Sequence, residues 1–321
     1  MAIPVQSLLI GVDVSKATLA ICLGPDQPVQ SLDNDRKSIA HWLATLPAEP
    51  VCIAAEATNT FHLDLVDLAH HAGHTVYLVD GYRLSRYRDS IGTRAKTDAS
   101  DAQLLQRYLA HERDSLRPWS PPPKGYRTLQ QLLQRRATLV RARVALQQSL
   151  ADLPGLKQAA ATLFRQLKRI DQKIQQGLID TLAQLDWDAD FKRCQGIEGV
   201  GPLTAAALTM SFHRGAFRSS DAFVAFLGLD VRVRDSGQLR GRRRLTKKGN
   251  PELRRLLFLA AMQAARSRSW KDFYQRHLDR GLSRIQALVI LARKLARVAF
   301  ALLNNQTDYR PRYLKEACIE T

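Results

Sequence analysis

An α/β domain followed by a largely helical second half is the fold class that this 321-residue sequence predicts. Three observations carry the prediction. Over the first 110 residues, short apolar runs rich in β-branched side chains alternate with stretches of helical spacing, the pattern of a sheet covered by helices. A proline cluster, Trp119-Ser120-Pro121-Pro122-Pro123, then interrupts the chain, because proline lacks the amide a helix needs and stiffens an extended connection. Beyond it, apolar residues recur at steps of three and four for dozens of positions, the spacing of a sustained helical seam.

The first domain is expected over residues 1–110. Leu8-Leu9-Ile10-Gly11-Val12-Asp13-Val14 reads as a buried strand, and residues 17–23 as its hairpin partner after a turn at Ser15-Lys16. Further strands are expected at 51–55 and 75–79, and helices at 36–46, 61–71 and 98–110, the last after the loop Gly92-Thr93-Arg94-Ala95-Lys96-Thr97. Residues 111–123 read as a Pro-rich linker. Within 124–190, Leu129, Leu132, Leu133, Val140, Val144 and Leu150 share one helical face. After Leu153-Pro154-Gly155, the positions from Leu156 through Leu163, Leu167, Ile170, Ile174, Leu178 and Leu182 to Leu185 share another. Two long helices folded back as an antiparallel coiled-coil arm follow from that spacing; the seam serves either dimerisation or an internal bundle.

Residues 191–321 read as a mainly helical C-terminal domain. Gly196-Ile197-Glu198-Gly199-Val200-Gly201-Pro202, leading into Leu203-Thr204-Ala205-Ala206, has the pattern of a helix-hairpin-helix. There Gly199 and Gly201 would let backbone amides at a helix N-terminus approach a phosphate; a plain helix–helix turn has the same pattern. A basic stretch follows, then a helix capped by Asn250 with Pro251 as its first residue, and helices at 270–277 and 283–303.

Charge narrows the function. The chain has 48 Lys and Arg against 30 Asp and Glu, a net charge of +18. Residues 1–110 hold nine basic and twelve acidic side chains, so the excess lies wholly in the remainder. Such an asymmetry points to a polyanion, and nucleic acid fits better than a membrane surface, because no helix joins a lysine-rich face to a lipid-facing aromatic stripe. No stretch reaches the length of a membrane span, and the expected compartment is the cytoplasm. Cys22, Cys52, Cys194 and Cys318 are scattered without a CxxC pair and are expected to be ordinary buried side chains. His70, His71 and His74 form the one histidine cluster and read as an exposed helix C-terminus rather than metal ligands.

The chemistry-bearing pattern is acidic. Asp13 sits in the middle of an apolar strand, where an unpaired carboxylate is costly. Glu56 ends the next strong strand, and Asp98 and Asp101 project from one helical face. An RNase H-like sheet brings a first-strand Asp, a fourth-strand Glu and a late helical carboxylate together, and hard oxygen ligands of this kind suit Mg²⁺. The bland alternatives are a turn-flanking Asp13 and an Asp98 that caps its helix. Residues 231–255 contain ten Arg or Lys against Asp235 and Glu252. Of these, Arg232, Arg234, Arg240, Arg242, Arg243, Arg244, Lys247 and Lys248 read as phosphate contacts, or else as a solvated face. Ser236 within Asp235-Ser236-Gly237 reads by itself as a hairpin-turn serine. Arg127, Arg135, Arg136, Arg141 and Arg143 form a second basic surface suited to RNA or DNA.

Gly11-Val12-Asp13-Val14-Ser15-Lys16, the strand ending in Glu56, Lys96-Thr97-Asp98-Ala99-Ser100-Asp101-Ala102, the helix-hairpin-helix and Ser236-Gly237 together resemble the insertion-sequence "one-ten" family. These are DEDD transposases regarded as bridge-RNA-guided recombinases, and the resemblance runs in order over essentially the whole chain. One departure is Asp230 after Gly228-Leu229, where family members often have a proline shortly afterwards. The resemblance implies a RuvC-like N-terminal domain holding Mg²⁺ (or Mn²⁺) on Asp13, Glu56, Asp98 and Asp101, an oligomerising coiled-coil arm, and a C-terminal transposase domain with Ser236 as nucleophile. It also implies donor and target DNA, a structured guide (bridge) RNA and a homo-oligomer, dimer or tetramer, as partners, with no membrane. Oligomerisation would then bring serine and metal together. Two other readings remain: a metal-dependent junction nuclease without serine chemistry, and a non-enzymatic RNA-binding scaffold.

Overall fold

The computed structural model describes residues 8–49, 51–92, 97–236, 239–246 and 248–311. Its contacts divide the chain into two compact units, Met1–Pro121 and Pro122–Thr321.

The first unit runs β1 (Leu9–Val14), β2 (Thr18–Cys22), β3 (Gln30–Asp33), α1 (Arg36–Ala44), β4 (Cys52–Glu56), α2 (Leu63–His71), β5 (Thr75–Val79), α3 (Gly81–Ser90) and α4 (Asp98–Glu112). The sheet order is β3-β2-β1-β4-β5. β1, β2 and β3 pair antiparallel, whereas β4 and β5 continue from β1 in parallel. This mixed five-stranded sheet is consistent with an RNase H-like domain. The sequence reading omits β3 and α3. Each has little to bury: of Gln30-Ser31-Leu32-Asp33 only Leu32 is even half-buried, and α3 buries only Leu84.

Side-chain alternation in β1 builds two cores. Ile10, Val12 and Val14 join Ile39, Leu43, Leu65 and Val66 beneath α1 and α2. Leu9, Gly11 and Asp13 occupy the opposite face, where Leu84 of α3 and Leu104, Leu105, Tyr108 and Leu109 of α4 pack. Gly11 sets how closely α4 approaches: a Cβ there would stand 2.1 Å from Ala102 O and 2.4 Å from Gln106 N. Both obstacles are backbone, so Gly11→Ala is expected to destabilise the unit by about 3 kcal/mol or more, readable as a fall in the thermal unfolding temperature or loss of folded protein.

The expected linker starts later than residue 111. α4 continues to Glu112, a 3₁₀ turn follows at Arg113–Ser115, and the Trp119 amide donates to Val76 O at 2.7 Å while its ring meets His70 edge-on. His70 and His71 are exposed as expected, but His74 is buried, accepts from the Val51 amide at 3.4 Å, and is held below the usual imidazole range by burial. Cys22, Cys52 and Cys194 are free and buried; Cys318 lies outside the described residues.

The second unit runs α5 (Tyr126–Ser149), α6 (Lys157–Gln184), α7 (Asp188–Gln195), α8 (Pro202–His213), α9 (Ser220–Phe226), β6 (Val231–Ser236), β7 (Leu239–Leu245), α10 (Pro251–Ala264), α11 (Lys271–Asp279) and α12 (Arg284–Asn305). α5 and α6 lie antiparallel: Gly125 abuts Leu185, Gly177 abuts Leu132, and Arg136 Nε pairs with Asp171 Oδ1 at 2.8 Å. At the near end, Leu129, Leu133, Leu178 and Leu182 join the core shared by α8, α10 and α12. Toward the far end, Val144, Leu153, Leu156, Leu163 and Ile170 are exposed. One seam therefore enters the bundle at one end and faces outward at the other.

Candidate carboxylate site and nucleic-acid interface

Asp13 is brought to the carboxylate site by the alternation of β1, and two residues earlier Gly11 lets α4 lie against the strand. Thr97 caps α4: its side chain accepts from the Ser100 amide while Ser100 Oγ accepts from the Thr97 amide. Asp98 is thus the first helical residue rather than the cap, and Asp101 follows one turn later on the same side. Glu56 ends β4, which is paired with β1. The outcome is visible in Asp13, whose carboxyl is pushed up to about 6, first by burial and then by the charges of Asp101, Asp98 and Glu56. Asp13 is half-buried, and the charges of the other three carboxylates all bear on it.

Four hard oxygen donors suit Mg²⁺ or Mn²⁺ in kind. Among the described residues, however, no three His, Cys, Asp or Glu side chains stand close enough together to hold an ion as they are arranged. Asp101 Oδ1 is instead paired with Arg88 Nη2 of α3. The sequence reading misses Arg88 because it misses α3. A signal was present: of the nine basic residues in 1–110, five (Arg83, Arg86, Arg88, Arg94 and Lys96) fall within fourteen positions beside the DxxD motif.

The second unit presents the basic segment as a two-stranded ribbon. The register sets Arg232 against Arg244, Val233 against Arg243 and Arg234 against Arg242. Arg232, Arg243, Arg244 and Lys248 are exposed. Like charges directly opposite each other repel, so the ribbon concentrates positive charge at a cost that an anion would relieve. Ser236 ends β6 opposite Leu239. The side chains of Ser236, Arg234, Arg240 and Arg242, together with Gly237 and Lys247, lie outside the described residues. Asn250 caps α10 as expected, its Oδ1 accepting from the Glu252 amide at 2.8 Å.

Of the two helix-hairpin-helix glycines, Gly199 has a packing reason. Its φ is +89°, and a Cβ would stand 2.6 Å from Ala264. Gly201 precedes α8 with open space around its Cβ position. In the second basic surface, Arg136 is committed to Asp171, while Arg135 and Arg141 are exposed.

Comparison with known proteins places this geometry. Residues 10–159 match the DEDD transposase model of IS110 elements, and residues 192–275 match the model described as Transposase IS116/IS110/IS902 family. The chain belongs to the IS110 family of transposases. Three relatives resemble it over nearly their whole length. A probable family 20 transposase of Pseudomonas aeruginosa is 28% identical, over 86% of this chain and 90% of that protein. A pilin gene-inverting protein of Moraxella bovis is 26% identical, over 94% and 98%. The transposase for insertion sequence element IS1111A of Coxiella burnetii is 27% identical, over 94% and 91%. This IS110-family chain is accordingly a transposase, an enzyme that acts on DNA. Among its described residues no helix is long and apolar enough to cross a membrane.

Proposed function

We propose that this IS110-family chain cleaves and exchanges DNA strands through a covalent serine–DNA intermediate, assisted by Mg²⁺ or Mn²⁺ and directed by a structured guide (bridge) RNA. The metal part is supported by half-buried Asp13, on whose carboxyl the charges of Asp101, Asp98 and Glu56 all bear, and by the hard-oxygen chemistry of those four side chains. Those four residues would hold the cation, which supplies charge neutralisation at a phosphodiester. Ser236 is the nucleophile: its Oγ–P bond forms as the P–O bond to a departing DNA hydroxyl breaks, and reverse attack by a different hydroxyl rejoins the strands. The serine and the RNA guide rest on the family resemblance. The ribbon, with Arg232, Arg234, Arg240, Arg242, Arg243, Arg244, Lys247 and Lys248, holds phosphates, and the turn at Gly199 and Gly201 offers amides to another.

The inverting activity named for the Moraxella bovis relative supports strand exchange rather than simple hydrolysis. The exposed far end of the α5–α6 hairpin joins copies into a dimer or tetramer, and the enzyme works in the bacterial cytoplasm at the nucleoid. The test is incubation of protein and guide with Mg²⁺ and labelled element ends, in wild type and Ser236→Ala. A denaturant-resistant protein–DNA adduct in wild type alone is expected. Cleavage that the alanine leaves unchanged, with no adduct, would favour a metal-dependent nuclease.

A further inference from the structure

Gly81, Leu84 and Arg88 stand at positions i, i+3 and i+7 of α3 and so share its inward face. A Cβ at Gly81 would lie 2.4 Å from Glu56 Oε1, which puts the Glu56 carboxylate directly against the first turn of α3. Two turns later Arg88 Nη2 donates to Asp101 Oδ1, with the two side chains only 16% and 13% exposed. Ser100 Oγ also donates to that oxygen, at 3.4 Å. One helix therefore touches two of the four carboxylates. Its outward residue Arg86 instead leans on Tyr82 and Asp89 in solvent.

An ion pair this shielded persists because each charge compensates the other; removing either leaves a charge without solvent. A divalent cation shared by Asp13 and Asp101 competes with the Arg88 guanidinium for the charge of the Asp101 carboxylate. Resting on the reading of these carboxylates as a cation site, we propose that Arg88 is a resident counter-ion that holds Asp101 in the cation-free protein and yields it to the incoming ion. Arg88 is a positioning residue in this role: it keeps the acidic cluster folded before loading and sets how tightly the cluster takes an ion. Once released, its guanidinium remains on α3 beside the site, where a phosphate oxygen can receive it in the same fork geometry that a carboxylate does.

Mn²⁺ binding to the full chain, followed by the electron paramagnetic resonance of free Mn²⁺, tests the idea. Arg88→Gln is expected to bind Mn²⁺ about fivefold tighter or more, whereas Arg88→Lys stays within about twofold of wild type. Arg86→Gln removes the same charge without touching Asp101 and is also expected to stay within about twofold. Equal or weaker binding by Arg88→Gln, or an equal gain in Arg86→Gln, overturns the counter-ion role. Should Arg88→Gln not fold, wild type decides: the Arg88 side-chain Nε–H resonance, identified by its loss in Arg88→Lys, is expected to move as Mg²⁺ is added. A resonance unmoved at saturating Mg²⁺ overturns the proposal. Wild type that binds no Mn²⁺ at all would sink the cation-site reading itself, a result distinct from either of these.

Discussion

Asp13→Asn is expected to abolish strand cleavage and, without divalent cation, to make the protein more stable. Both effects come from one cause. Burial and the charges of Asp101, Asp98 and Glu56 push the Asp13 carboxyl up to about 6 from its ordinary 3.8. A carboxyl raised in the folded state takes up a proton on folding between those two values, so stability falls as pH rises through that window. The penalty is absent below about pH 4 and complete above about pH 6. Asparagine removes it. The unfolding temperature in chelator should rise by several degrees near neutral pH and hardly change at about pH 4. Excess Mg²⁺ should reverse the order by stabilising wild type alone, while cleavage by the variant falls about a thousandfold or more. In wild type, Mn²⁺ affinity should weaken as pH drops below about 6, because the proton and the ion compete for one carboxylate. Calorimetric scans at the two pH values, with and without Mg²⁺, read the result. An Asn variant that melts below wild type at neutral pH in chelator would show that Asp13 is not a strained charge.

The carboxylates were legible because strand alternation and helical spacing fix where Asp13, Asp98 and Asp101 point, and an apolar run such as Val51-Cys52-Ile53-Ala54-Ala55 announces the strand that delivers Glu56. What the sequence did not disclose is tertiary. Leu84 is the sole buried residue of α3, and only Tyr87 and Ile91 continue its apolar spacing, too short a run among charged neighbours to announce the helix that carries Arg88. β3 is an edge strand held by pairing with β2 rather than by burial. Trp119 reads as part of the stiff Pro-rich linker, yet its amide donates to Val76 O. Gly199 is read as a phosphate-approach glycine from its motif, yet the contact that requires it is Ala264, sixty-five positions away. The ribbon shows the same limit: composition reveals its charge, but only register sets Arg232 against Arg244.

The exposed cations of the ribbon offer a test of phosphate binding against a solvated basic face. Replacing Arg232, Arg243, Arg244 and Lys248 together by glutamine is expected to weaken DNA or RNA binding about a hundredfold at physiological salt and to lower the slope of log affinity against log salt by about 3 to 4. A two-stranded ribbon fits the major groove of duplex DNA, so three exposed cations on the ribbon and Lys248 just after it can each displace a condensed counter-ion. The same change should leave the fold intact or gain a few tenths of a kcal/mol, since it removes the Arg232–Arg244 repulsion. Arg136 supplies the contrast. It is 16% exposed and paired with Asp171, so Arg136→Gln should lower stability by about 3 kcal/mol and leave the salt slope unchanged. Titrations of both variants at several salt concentrations, beside their unfolding curves, distinguish the two roles. A ribbon variant with an unaltered slope would mean that its arginines face water, and that the polyanion implied by the net charge of +18 binds elsewhere on the chain.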